Sequence, residues 1–438
     1  PCAVTSAIDD LAYVSAKRVQ ARKFFERLNF KSLSKDLPKD FLEEHQSFAQ
    51  RYGYTFITVT NESDLKKLCD QIKATGSCAL DTETTSLNVF TSNLVGISVC
   101  CEHGIAYYIP CGHTTGEFQL SYAIIIAALK PIFEDQAIKK YLHNAKFDRS
   151  VLRRFGIDLK GIAFDTMVAA GLVNKEGNSL SLKALSLFYL DQAMFSFQQI
   201  VTDRKLNSFA QVALEKATDY AAADAHQTWC LVSILQNKLK EYEQENLYYS
   251  IEHLLIEVLY AMEVVGIIVD QNVLSDINAR ISKELNKLVQ EIMQATSEND
   301  DSINLNSPAQ VGRLLFEKLG LTPLKKNSKS GTYSTDSEVL HELARYHSVP
   351  GLIVRYRELY KLKSTYVDAL PYYINDQTGR VHTTFWQTSV ATGRLSSTDP
   401  NLQNIPLNDT EFSLRSAFKA PPGEKFISAD YSQMELRI

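Results

Sequence analysis

The sequence has no run of 18 or more apolar residues, so no membrane-spanning helix is expected. It has no excess of positive charge: 46 Lys and Arg stand against 51 Asp and Glu, a formal net charge of -5. Whole-chain charge therefore gives no sign of a nucleic-acid partner, although acidic and basic surfaces can share one chain. No signal peptide opens it, and no even, regularly spaced cysteine set runs through it. The seven cysteines, Cys2, Cys69, Cys78, Cys100, Cys101, Cys111 and Cys230, are scattered, which fits a reducing cytoplasm better than a disulfide framework. Internal repeats and low-complexity blocks are missing too. What remains is an ordinary globular composition, 45% hydrophobic and 22% charged, over 438 residues, a length that suits two or three domains. The chain opens on Pro1 rather than Met, so further residues are expected before it.

Residues 1–50 read as a charged helical tether or the end of a preceding domain. From about Thr55 the pattern changes. "CALDTET", "LVGISVC", "IAYYIP" and "KKYLHN" read as strands, and "SYAIIIAALKPIF" and "KFDRSVLRRFG" as helices. Strands interleaved with helices predict an α/β domain. A long helical stretch from about Ser208 to Leu247 closes it, and the chain is mainly helical beyond Tyr249. "GRVHTTFWQTS" returns to strand. The segment "CCEHGIAYYIPCGH" has two readings, a zinc site or a β-hairpin around a Gly turn. Adjacent Cys100 and Cys101 would point to opposite strand faces, which disfavours shared ligation.

The acidic residues carry the chemistry. "ALDTETTSLN" puts Asp81 and Glu83 two apart on a strand, hence on one face. Two such carboxylates repel each other unless a divalent cation lies between them; the other reading is a solvated strand end. "HNAKFDRSVL" places Asn144 and Asp148 at a helix start, where an acid also serves simple helix stabilisation. "DYAAADAHQTW" places Tyr220 and Asp224 four apart on one helix face, where Tyr220 also reads as a packed aromatic.

DxE on a strand, then NxxxFD, then YxxxD resembles the three motifs of the DEDD 3′→5′ exonucleases, in the subtype with a tyrosine. "GIAFDTM" is similar to the proofreading domains of bacterial family A DNA polymerases. The resemblance implies a ribonuclease H-like fold and two Mg²⁺ ions, or Mn²⁺, per site. It implies that Asp81 bridges both ions, that Glu83 and Asp224 complete one metal site, and that Asp148 helps hold the second. Tyr220 would orient the attacking water, Leu87 would wedge near the terminal base, and Asn144 would contact substrate.

The second half resembles the family A polymerases themselves. "ATGRLSSTDPNLQNIP" is similar to one of their signatures, "FISADYSQMELRI" to their first palm motif, and "KLKSTYVDALP" and "INLNSPAQVGRLLFEKLG" to their thumb. Between Val311 and Arg394, twelve Lys and Arg stand against seven Asp and Glu, a local balance that suits a phosphate backbone. Arg394 offers a fork of donors, and Gln403 and Asn404 can read minor-groove acceptors that differ little between base pairs. By resemblance Asp430 and the carbonyl of Tyr431 would hold metal, and Arg415 would contact DNA. Gln433 would contact the incoming nucleotide, and Glu435 would pack on its sugar. Asp430 is read as following a short strand. The resemblance also implies a fingers helix and a second palm carboxylate beyond Ile438, so this chain alone is expected not to extend a primer.

The expected fold is an α/β ribonuclease H-like exonuclease domain over 51–247, then a mainly helical, partial family A polymerase domain over 248–438. The expected function is proofreading hydrolysis of DNA joined to part of a template-directed polymerase. Expected partners are single-stranded and primer-template DNA, with deoxynucleoside triphosphates in a complete parent. A cytosolic, nucleoid-associated monomer is expected. A free-standing exonuclease with a DNA-holding module is the alternative; a non-catalytic binding protein fits the complete carboxylate set poorly.

Overall fold

A computed structural model describes residues 25, 46–174, 177, 179–202, 206–296, 303–325, 333–390, 392–406 and 411–437. Most of the N-terminal tether, Ala391 of the signature stretch and Ile438 lie outside them. Two compact units divide the chain: residues to Met262 with Trp386–Leu395, and Glu263–Phe385 with Ser396–Ile438. No helix among the described residues is long and apolar enough to cross a membrane.

The first unit is built on a six-stranded sheet. Its strands are β1 (Thr55–Thr58), β2 (Ser77–Thr84), β3 (Leu94–Glu102), β4 (Ile105–Pro110), β5 (Lys139–Leu142) and β6 (Ile162–Asp165), in the order β1-β4-β3-β2-β5-β6. The β2–β3–β4 meander is antiparallel, and β1, β5 and β6 join it in parallel. The run "LVGISVCC" is buried throughout, as a central strand covered on both faces must be. Gly104, at φ 89°, makes the turn from β3 to β4, so the hairpin forms. Cys101 joins the larger core on one face of the sheet, while Cys100 packs with Ala79 and Ala222 on the other.

Helices α1 (Glu62–Thr75) and α2 (Tyr122–Phe133) cover the first face. Asn61 caps α1 by accepting from Asp64 N, and Gly76 ends it in the left-handed conformation at φ 69°. Then come α3 (Ala145–Arg154), α4 (Thr166–Val173) and α5 (Leu182–Leu190). The 28-residue helix α6 (Leu214–Glu241) crosses the second face, lying on β3, β2 and β4. It approaches through small side chains: Ala217, Ala221, Ala222 and Ala225 are all fully buried. The long helical stretch expected from Ser208 to Leu247 is therefore three pieces, a short 3₁₀ turn, α6 and a short helix at Glu245–Leu247.

Helix α7 (His253–Val265) contains the division between the units, and the main core of the second lies along α8 (Gln271–Thr296). Leu274, Ile277, Ile281, Leu285, Leu288 and Ile292 recur at three- and four-residue steps and are buried, partly against α9 (Ser337–Leu343) and α10 (Ser348–Leu362). A small antiparallel sheet joins β7 (Ile267–Val269) to β8 (Arg380–Val381) and β9 (Phe418–Lys419). One expectation fails here. Residues 424–430 form no strand, and Phe426 and Ile427 are exposed rather than packed. An apolar run becomes a strand only where a neighbour takes up its backbone groups, and none does so among the described residues.

Candidate active site

The alternation of β2 decides what its acids face. Cys78 and Leu80 enter the larger core, so Ala79, Asp81 and Glu83 face α6. Across the sheet, Asp81 pairs with Ser98 and Glu83 with Gly96, and the register shifts between Glu83 and Thr84. On α6, Tyr220 and Asp224 stand one turn apart over this point. Carboxylate oxygens of Asp81, Glu83 and Asp224 thereby lie within 4.8 Å of one another.

Asp148 reaches the same strand from the first turn of α3. Its Oδ1 accepts from Thr82 N at 2.9 Å and from Thr82 Oγ1 at 2.7 Å. The last β2–β5 partner pair is Ala79–Tyr141, so Asp148 takes up an N–H beyond the end of that ladder. Its other oxygen, Oδ2, is buried with no hydrogen-bond partner, as is Asp224 Oδ1. Buried polar atoms are nearly always paired, so two orphan carboxylate oxygens in one cluster are groups that could hold a cation.

Burial raises the proton affinity of all four acids. Asp81 stands well above the usual carboxylate range, through burial first and then the charges of Asp148, Asp224 and Glu83. Glu83 is pushed up to about 8 by burial and Asp224, and Asp148 to about 7 by burial. Asp224 is also raised by burial. Without a cation, this cluster resists full ionisation. Burial, then Asp224, Glu83 and Asp81, hold Tyr220 far above the ordinary phenol range, so it is a neutral hydroxyl.

Asn144 opens α3 in the left-handed conformation, φ 72° and ψ 56°, with its N–H donating to Asp165 Oδ1 at 3.2 Å. Leu87 is 88% exposed on the loop after β2. Three residues that sequence reasoning passed over support the site. Thr82 holds Asp148. Asp165 accepts from the N–H groups of Asn144, Ala145, Met167 and Val168, fixing the starts of α3 and α4 together. Lys183 donates to the Tyr220 hydroxyl at 2.6 Å. The readable signal for Lys183 was its being the only charge in "LKALSLFYL".

The cysteine-rich segment gathers differently from the zinc reading. His103 meets His226 and Cys230, with ligand atoms within 4.8 Å. Yet His226 Nε2 already accepts from Gly104 N at 3.0 Å, and the Cys230 sulfur lies 3.8 Å from both ring nitrogens. His113 instead accompanies Tyr108 Oη at 2.7 Å and Val212 O at 2.9 Å.

The residues assigned to the polymerase resemblance are spread over exposed segments. Arg394, Gln403, Asn404 and Arg415 are exposed, and Arg415 donates to Pro406 O and Ile405 O. Tyr366 Oη donates to Asn404 O at 2.5 Å. Asp430, Tyr431, Gln433 and Glu435 lie in a stretch exposed from Pro422 to Arg437.

Comparison with known proteins fits this division. Residues 56–240 match the model of the 3'-5' exonuclease family, and residues 271–438 that of DNA polymerase family A. DNA polymerase I of Chloroflexus aurantiacus is 41% identical over 87% of this chain and 40% of its own length. That of Pseudomonas aeruginosa is 37% identical over 98% of this chain and 48% of its own length. The POL domain of Pol1 from M. smegmatis, solved in complex with DNA primer-template and dNTP, superposes with a TM-score of 0.71. It is 26% identical, over 87% of this chain and 62% of that one. The chain thus joins a 3'-5' exonuclease domain to a DNA polymerase family A segment. It is similar to bacterial DNA polymerase I over most of its own length and spans less than half the length of the relatives named here.

Proposed function

We propose that this chain hydrolyses DNA from its 3′ end at the cluster of Asp81, Glu83, Asp148, Asp224 and Tyr220. The observation that carries the reading is the convergence of the Asp81, Glu83 and Asp224 carboxylates within 4.8 Å, with one oxygen of Asp224 and one of Asp148 lacking a partner. The donor set is all oxygen, which suits hard divalent cations such as Mg²⁺ or Mn²⁺. Bound there, such ions would polarise the scissile phosphate and lower the pKa of a water. Asp81, Glu83 and Asp224 would hold one position, and Asp148 Oδ2 with Asp81 a second.

The chain's own groups do the orienting. Tyr220, a neutral phenol at any working pH, serves as a hydrogen-bonding guide for water rather than a base. Water adds to phosphorus and the P–O3′ bond breaks. The water's proton leaves to a carboxylate or solvent, and the departing O3′ takes one up. A nucleoside 5′-monophosphate and a shortened 3′-hydroxyl strand result. Leu87 and Asn144 would meet the terminal nucleotide. The working division is an exonuclease domain over 51–247 and a polymerase region over 248–438.

In that second region, Arg394, Gln403, Asn404 and Arg415 would grip primer-template DNA. Asp430 with the Tyr431 carbonyl would take part in nucleotide transfer, and Gln433 and Glu435 in holding the nucleotide. Those roles belong to the activity of the whole protein.

The test is release of mononucleotides from a labelled single-stranded oligodeoxynucleotide with Mg²⁺ or Mn²⁺. Asp81→Ala should lower kcat by about 10³-fold or more, and EDTA should abolish the reaction. Undiminished activity in a clean Asp81→Ala preparation would remove the assignment.

A further inference from the structure

Helix α5, "LKALSLFYL", carries one charge, Lys183. Its stem starts on an apolar helix, between buried Leu182 and Leu185, and the residue is half-buried. It reaches Tyr220, 37 residues on, and donates to Oη at 2.6 Å, with Nζ 4.0 Å from the ring centroid. Its positive charge also opposes the effect of burial at Asp81, Glu83 and Asp224.

An ammonium has three donors and no acceptor. The Tyr220 oxygen must therefore be the acceptor in this contact, and its own O–H must point elsewhere. Without Lys183 the hydroxyl would be free to turn either way about its ring plane, and as a donor it would be drawn to the nearest carboxylate.

Resting on the exonuclease reading, we propose that Lys183 is the positioning residue for Tyr220, fixing the phenol as a donor aimed at the attacking water. The same side chain supplies a positive charge to a cluster that holds four carboxylates. It acts through Tyr220 and its field, and the water-directed contact remains that of the tyrosine.

The experiment compares the 438-residue chain with Lys183→Met, Lys183→Arg, Tyr220→Phe and the Lys183→Met/Tyr220→Phe double variant. Methionine keeps the length and apolar stem and removes the charge. Single-stranded oligodeoxynucleotide hydrolysis gives kcat and KM, Mn²⁺ binding is followed by electron paramagnetic resonance, and Tm reports folding.

Lys183→Met should lower kcat by about 10- to 100-fold and leave KM within about twofold. On the Tyr220→Phe background it should cost less than about threefold, because the hydroxyl it orients is gone. Lys183→Arg should recover part of the loss. Mn²⁺ affinity should rise several-fold in Lys183→Met, since a cation leaves the neighbourhood of the carboxylates.

Additive losses in the double variant, or a KM increase at unchanged kcat, would overturn the proposal in favour of direct phosphate contact. Unchanged kcat and Mn²⁺ affinity would make Lys183 a packing residue. Should Lys183→Met fail to fold, Lys183→Gln carries the same comparison. A parent chain that binds Mn²⁺ but leaves DNA intact sinks the exonuclease reading and this proposal together. An active parent with additive variants sinks the proposal alone.

Discussion

Two acidic motifs in this chain have opposite surroundings. Asp81 and Glu83 stand on an inner strand, beside a 28-residue helix, with Asp148 anchored to the backbone between them. Asp430 and Glu435 stand on a stretch exposed from Pro422 to Arg437. The first arrangement stores electrostatic cost: each carboxylate is driven toward its neutral form, and two of its oxygens lack partners. Such a site is preorganised for a cation that relieves the cost. Asp430 is exposed and open to hydration. Burial and convergence, which local spacing does not report, are what separate the two motifs here.

The sharpest way to break that comparison is kinetic. Asp81→Ala should remove about 10³-fold or more of the exonuclease kcat, while Asp430→Ala should leave it within about twofold. Equal losses would mean that the two motifs serve one reaction.

A second test concerns packing under the site. Gly96 pairs with Glu83 across the sheet. A Cβ there would lie 2.2 Å from Tyr108 Oη and 2.3 Å from its ring. Tyr108 cannot give way readily, since it is fully buried and tied to His113. Gly96→Ala should cost about 3 kcal/mol, lowering Tm by about 10 °C, and should depress exonuclease activity with it. A Tm within a degree of the parent would show that the ring has room to move.

These two tests bear on what the sequence disclosed. The acids were legible because their spacing is local: two residues on a strand, four on a helix. The strands around them were legible because "LVGISVC" and "IAYYIP" are short runs rich in apolar, β-branched and aromatic residues on either side of a Gly turn. What escaped was set by distance. Lys183 meets Tyr220 across 37 residues and Asp165 meets Asn144 across 21, and no periodicity announces either contact. Thr82 hid between two acids whose charges drew the attention. The strand expected before Asp430 failed for a related reason: pairing is decided by a neighbour, and "FIS" has none among the described residues. The expected boundary after Leu247 falls within a run of helical turns from Glu245 to Val265, where composition does not change.

A third test uses pH. The folded pKa values of Asp81, Glu83, Asp148 and Asp224 lie above those of unfolded carboxylates, reaching about 8 at Glu83 and about 7 at Asp148. Their contribution to stability is fully present below the unfolded range of about 4 and is lost as pH rises through the folded values. In EDTA, Tm should fall between about pH 5 and pH 8.5, and Asp224→Asn should flatten the fall by removing one repelling charge. Mn²⁺ should restore Tm at the upper end. A flat profile in EDTA would show that the cluster is already hydrated and ionised.

The smallest effect is expected at Asp430, and it sharpens the contrast from the other side. Removing Asp148 would leave Thr82 N and Oγ1 without their acceptor inside a buried site, and such orphans cost about 1–3 kcal/mol each. Removing Asp430 orphans nothing of that kind, because the carboxylate and its neighbours are open to water. Substitutions at such positions usually fall within about 0.5 kcal/mol. Asp430→Ala should therefore move Tm by no more than about 2 °C, in EDTA or with Mn²⁺, while Asp148→Ala lowers it by several degrees with Mn²⁺ present. Calorimetry of the two variants side by side decides the point. A destabilisation by Asp430→Ala as large as that of Asp148→Ala would mean that its segment is packed in solution, and that the two motifs are equally enclosed.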